Sequence, residues 1–170
     1  MESKSMRTTD LPEQIYRLNT VKAFETYSDT VYRLAFVRTG NKSDSEDILS
    51  EVFLRLLKNQ TKIKNEEHLK AWLIRATLNC TNSFLGSAYR RHRADFKEAA
   101  EIAHRDSDVL PLVLALPLKY KTVVYMYYYE GYSVEEIASF CSVAVGTVKS
   151  RLARARGRLK DQLKGEMIDV

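Results

Sequence analysis

Ser133–Lys164 reads SVEEIASFCSVAVGTVKSRLARARGRLKDQLK. Ser133 and Glu136 have the S-x-x-E spacing of a capping box, in which each side chain satisfies a backbone N–H at the start of a helix. Ile137, Ala138 and Phe140 give that helix an apolar side. Cys141-Ser142-Val143 reads as a turn, and a second helix starts at about Ala144. A short helix, a tight turn and a long basic helix outline a helix-turn-helix, whose second helix enters the major groove of DNA.

The second helix is tested by its wheel. At about 100° per residue, Val148, Leu152, Ala155 and Leu159 fall on one stripe, which must pack on the rest of its domain. Arg151, Arg154 and Arg158 flank the stripe on one side, and Lys149, Arg156 and Lys160 on the other. Opposite lie Gly146, Ser150, Ala153 and Gly157, all small. A small face between two basic edges lets a helix sink into a groove while cations reach the phosphates of both walls. The alternative is a basic face kept merely for solvation, which does not call for the small residues between the cations.

The chain has 170 residues, 45% of them hydrophobic, and a formal net charge of +5. That length suits one domain or two small ones, and that composition suits a folded chain. Charge is unevenly spread. No acid occurs from His68 to Ala94, where Lys70, Arg75, Arg90, Arg91 and Arg93 fall. Asp44, Glu46, Asp47 and Glu51 form an acidic cluster with no base inside it. Two basic patches and one acidic patch point to an anionic polymer and a basic protein partner. Cys80 and Cys141 lack metal-ligand spacing and read as small apolar residues in a reducing, cytoplasmic compartment. No apolar run reaches the ~18 residues of a membrane span, the N-terminus lacks the core of a signal peptide, and no glycine-rich phosphate loop or other cofactor motif occurs. His68, His92 and His104 lack acid or metal partners at recognisable spacing, so catalysis is not expected.

In chain order, Asp10-Leu11-Pro12-Glu13 reads as a helix start. Thr20 is expected to cap a helix over about 21–39, with Val21, Phe24, Tyr27, Val31, Leu34 and Ala35 at helical steps and Gly40 ending it. Ser43-Asp44-Ser45-Glu46 reads as a second capping box, opening a helix over about 44–58. Its early acids also suit the positive end of the helix; Glu51 lies further in and is better explained by a partner. Ile63, in the polar loop 59–65, either tucks under that loop or lines a binding pocket. A third helix over about 66–91 carries Asn79, Asn82 and Ser83 on one face, with Arg75 extending the polar row. This row is either solvent-exposed or a reader of single-stranded nucleic acid, where amides meet base edges. Composition changes over 92–108, and the linker is placed at 94–108. A short helix follows over about 109–115, with Asp108 as its cap. Residues 118–130, with TVVYMYYYE, suit a strand by content, but length and the flanking Pro117 and Gly131 favour a helix, which is the expectation.

These residues together resemble the extracytoplasmic-function (ECF) group of sigma-70-type bacterial RNA polymerase sigma factors. VYRLAFVRTGNKSDSEDILSEVFLRLL resembles conserved regions 2.1–2.2, AWLIRATLNCTNSFLGSAYRR resembles regions 2.3–2.4, and LPLKYKTVVYMYYYEGYSVEEIASFCSVAVGTVKSRLARARGRL resembles region 4. The resemblance implies an all-α chain: a region 2-like domain over 10–93, a linker over 94–108 and a region 4-like helix-turn-helix domain over 109–166. It implies a non-enzymatic promoter-specificity subunit with no cofactor. Asp44, Glu46, Asp47, Glu51 and Phe53 match the segment that binds the coiled coil of the largest polymerase subunit. Ile63, Leu69, Trp72, Asn79, Asn82 and Ser83 match the segment around the flipped minus-ten base. Lys149, Ser150, Ala153 and Arg154 match the positions that read the minus-35 duplex, with Thr147, Arg151, Arg156 and Arg158 as phosphate contacts. Partners implied by the resemblance are the polymerase core, including the flap of its second large subunit, promoter DNA and an anti-sigma factor that clamps both domains.

The chain departs from the family pattern at Ser142, where Gly is common, at Ala144, where Pro is common, and at Ser50, where Gln is common. Ser83 and Phe84 stand where Asp and Arg are usual, so no particular minus-ten sequence carries over. The competing reading is a free-standing helix-turn-helix regulator that binds duplex DNA without polymerase. A sensor domain would need neither the acidic helix nor the amide row.

Overall fold

The computed structural model describes residues 18–88 and 109–166. Among them every regular element is helical: α1 Thr20–Thr39, α2 Lys42–Lys58, a 3-10 turn Gln60–Lys62, α3 Glu66–Ala88, α4 Leu110–Ala115, α5 Leu118–Val124, α6 Val134–Cys141 and α7 Val145–Glu166. The all-α expectation holds. The helix start at Asp10, the linker, the Asp108 cap and Arg90, Arg91 and Arg93 lie outside the described residues.

Two helix starts differ from expectation, for a common reason. Asn19, not Thr20, caps α1 by accepting from the Lys22 N–H at 3.1 Å. Asn41, not Ser43, caps α2 by accepting from the Asp44 N–H at 2.9 Å. Gly40 closes α1 in the left-handed region, φ 70°, and leaves Asn41 extended, as an N-cap requires. The turn between the helices is therefore two residues long. Thr39 and Ser45 close it from inside, their hydroxyls 3.0 Å apart and buried.

Residues 118–130 are helical, not extended. α5 widens into a π-helical turn over Tyr125–Tyr129, where the Glu130 N–H reaches back to the Tyr125 carbonyl at 3.2 Å. Met126 and Tyr125 point inward while Tyr127, Tyr128 and Tyr129 face out. The wider turn accommodates this crowded β-branched and aromatic run without a strand. In the helix-turn-helix, the Ser133–Glu136 capping box forms in both directions. Ser142 takes φ 54°, a conformation that favours glycine. It is held there as the Val143 N–H bonds the Ala138 carbonyl at 3.0 Å, closing α6 as a Schellman turn.

Two cores result. The first lies inside α1, α2 and α3 and includes Val31, Ala35, Ile48, Val52, Leu56 and Leu73. The second is built by α4–α7 around Val123, Met126, Ile137, Val148 and Leu152, and it extends to Leu34, Phe36 and Val37 of α1 and Ile74 and Leu78 of α3. The two helical domains therefore pack on one another along a shared apolar seam.

Candidate nucleic-acid interface

α7 presents the wheel read from its sequence. Val148, Leu152 and Ala155 are buried and Leu159 half-buried, which fixes the rotation of the helix. Gly146, Ser150, Ala153 and Gly157 are then exposed, between Lys149, Arg156 and Lys160 on one edge and Arg154 and Arg158 on the other. Thr147 and Arg151 are half-buried. One residue the sequence did not flag organises this surface. Tyr120, buried on α5, accepts a side-chain hydrogen bond from Arg154 and carries the Arg158 guanidinium 5.3 Å from its ring centroid. Arg156 likewise donates to the Tyr128 hydroxyl at 3.2 Å. Aromatic anchors restrict long side chains that would otherwise lose rotamer freedom on binding. The signal was the helical spacing of Tyr120 on α5 and Tyr128 in the π-helical turn that follows it, but only the packing shows which cations they meet.

The amide row on α3 is also on one face. Arg75, Asn79, Asn82 and Ser83 are exposed and Trp72 is half-buried. Ile63 and Leu69 do not belong to that surface: they are 3% and 1% exposed, in the first core. Ile63 takes the under-loop role, because the 3-10 turn leads it inward, so neither residue touches a strand from where it stands. The row itself meets the other domain. Arg38, at the end of α1, donates from Nε to Thr81 Oγ1 and from Nη1 to Thr122 Oγ1, each at 2.6 Å, and from Nη2 to Asn82 Oδ1. Arg75 donates to Ser139 Oγ at 2.8 Å and lies over the Phe140 ring, and Lys70 lies over the ring of Tyr132. Burial depresses the Arg38 pKa to about 10. Lys121, next to it in the seam, is lowered to about 8 by burial and then by the Arg38 charge.

The acidic cluster is on α2. Glu46, Asp47 and Glu51 are exposed and Asp44 is half-buried in the first turn. Glu51 has an intrahelical partner, the Arg55 Nε at 2.6 Å, so its position does not require another protein. Phe53 is 6% exposed and stacks edge-on against Phe24, so its role is packing and not surface contact. Beside the acids, Leu54 and Leu57 are 53% and 48% exposed. The sequence reading, which followed the acids, did not single them out.

The Sigma-70 region 2 model matches residues 23–94, and the Sigma-70, region 4 model matches residues 108–159. The ECF RNA polymerase sigma factor SigW of Bacillus subtilis is 29% identical over 163 residues, covering 81% of this chain and 85% of that protein. The ECF RNA polymerase sigma factor SigE of Mycolicibacterium smegmatis is 32% identical over 156 residues, covering 81% of this chain and 58% of that protein. Among solved structures, the sigma factor RpoE of Bartonella quintana, crystallised with the anti-sigma factor NepR, shares the fold with a TM-score of 0.69 at 22% identity, over 85% of this chain and 96% of that one. Two matched regions in order, relatives along most of the chain and the helix-turn-helix geometry agree: the chain belongs to the ECF group of the sigma-70 family of RNA polymerase sigma factors.

Proposed function

We propose that this chain directs RNA polymerase to promoters by holding two elements with two domains, at 10–93 and 109–166, joined through 94–108. The observation that carries the reading is the exposed small-residue face of α7 between two rows of cations. Lys149, Ser150, Ala153 and Arg154 read the minus-35 duplex from that face, and Thr147, Arg156 and Arg158 contact its phosphates. Arg151 joins them once it leaves the seam. Asn79, Asn82, Ser83 and Trp72 meet the melted minus-ten strand, with amides on base edges and the indole available for stacking. Opening of the strand is favoured by trapping an unstacked base, with no covalent step and no cofactor. Asp44, Glu46, Asp47 and Glu51, around the exposed Leu54, dock on the coiled coil of the largest polymerase subunit, and the second domain meets the flap. An anti-sigma factor is a further partner of this kind of chain. No helix among the described residues is long and apolar enough to cross a membrane, and the work is done in the cytoplasm, where polymerase and promoter are.

Gel filtration with core polymerase tests this directly. Co-elution at a one-to-one ratio is expected, weakened by Asp47→Lys. Elution apart from core under all salt conditions would overturn the reading and leave a free-standing duplex-binding regulator.

A further inference from the structure

The seam between the domains buries two cations without a described counter-ion. Arg38 is 6% and Lys121 5% exposed, and among the described residues no salt bridge is made by either. Among the described residues every bond Arg38 makes goes to a neutral oxygen, of Thr81, Thr122 or Asn82. Buried charges in proteins are paired as a rule, because desolvating an ion is not repaid by neutral acceptors. Beside Arg38 opens a cavity of about 320 Å³, at the lower end of the range for small-molecule sites. Among the described residues its wall includes Arg38, Lys119 and Arg151, together with Asn79, Asn82 and Ser142, and no carboxylate. A guanidinium offers five N–H groups in a fork suited to phosphate oxygens, and Arg38 uses three of its five within the protein. The three cations come from both domains: Arg38 from α1, Lys119 from α5 and Arg151 from α7. An anion seated there would be clamped from two sides.

We propose that this interdomain cavity binds a small phosphate-bearing anion, a free diphosphate or triphosphate group, which gives Arg38 a counter-charge and holds the two domains together. Charge-assisted bonds from Arg38, Lys119 and Arg151 would carry the binding, and Asn79 would orient the anion. Binding itself does not depend on the promoter reading. Its consequence does: with the cavity filled, the Arg38–Asn82 and Arg75–Ser139 contacts persist, and the amide row stays turned toward the second domain. A continuous strand would have to part the seam to reach the same cations, so a free anion is the occupant that fits the closed arrangement.

The test is a titration of the full-length chain with sodium pyrophosphate and tripolyphosphate, at ionic strength held constant with sodium chloride, read by calorimetry and by the thermal midpoint. Saturable binding of one anion per chain with a rising midpoint is expected, at least tenfold weaker in both Arg38→Gln and Lys119→Ala and unchanged in Lys149→Ala. Should Arg38→Gln fail to fold, Lys119→Ala, on the exposed rim, decides alone. Overturning results are a midpoint rise that tracks ionic strength only, binding that Lys119→Ala leaves intact, or binding that Lys149→Ala removes, which would put the anion on α7. A single-stranded oligonucleotide separates the sources of phosphate. If the oligonucleotide binds with the same Lys119 dependence while the polyphosphates show no saturable binding, the free-anion site does not exist.

Discussion

The two surfaces suited to nucleic acid stand in opposite conditions. On α7 the small face is open, and the basic edges are anchored from behind by Tyr120 and Tyr128. On α3 the polar row is engaged: Arg75 bonds Ser139 of the helix-turn-helix, and Asn82 accepts from Arg38. On the proposed reading, the face that meets duplex is already exposed, whereas the face that meets a strand is also an interdomain contact. The same hydrogen-bonding groups that would meet a base hold the closed arrangement, so reading a strand and closing the seam compete.

The largest effect that breaks the comparison comes from α7. Lys149→Glu with Arg154→Glu removes two exposed cations and adds two anions. At about 1–3 kcal/mol per recognition contact, duplex affinity should fall by about a hundredfold or more at fixed salt, measured by anisotropy, while the thermal midpoint moves little and core polymerase still binds. Loss of polymerase binding as well would contradict the division of labour between the domains.

The seam should respond to pH. Lys121 has its pKa lowered to about 8 from 10.5, so between those values the unfolded chain holds more protons than the folded one, and stability rises with pH by at most about 1.4 kcal/mol per unit. Arg38, lowered to about 10 from 12.5, acts in the same direction at higher pH. Tyr125 and Tyr132, pushed up by burial, act in the opposite direction once their unfolded counterparts ionise near 10. Cys80 and Cys141, whose thiols burial also pushes up, oppose that rise once their unfolded counterparts ionise near about 8.5. The Lys121 contribution is therefore read as a difference: from pH 7.5 to about 9.5, denaturant titrations should show the wild-type chain gaining stability relative to Lys121→Met.

A smaller change sharpens the competition. Ser139→Ala removes the acceptor of Arg75 without altering the polar row, at a cost of about 0.5–1.5 kcal/mol. Binding of a single-stranded oligonucleotide should rise severalfold while duplex binding stays level. The smallest effect is at the turn. Ser142→Gly relieves the left-handed strain of a side-chain-bearing residue, about 1–2 kcal/mol, but adds flexibility to the unfolded chain. The net is a gain of about 0.5–1 kcal/mol in the unfolding free energy from chemical denaturation, with unchanged duplex affinity.

What was legible in the sequence was local. The stripe Val148, Leu152, Ala155 and Leu159 fixed the rotation of α7, and Ser133 with Glu136 fixed the start of α6, because both depend on steps of three and four residues. The Tyr125–Tyr129 run was ambiguous, since crowded aromatics suit a strand as well as a widened helix, and its neighbours decide. Ile63, Leu69 and Phe53 were named as contacts by resemblance, and their apolar side chains complete the first core. Arg38 was invisible: its partners Thr81 and Thr122 lie 43 and 84 residues away, and nothing in VRTGN marks a buried cation. Glu51 called for a partner and found one four residues on, a reminder that an acid inside a helix has local company to consider before another protein.

Run-off transcription with purified core polymerase on promoter templates from the chain's own genome decides whether the chain confers promoter specificity. Discrete start sites should appear only when the chain is added, vanish with Lys149→Glu plus Arg154→Glu, and vanish again when the minus-35 element of the template is scrambled. No chain-dependent start site on any template, with core binding intact, would contradict that specificity.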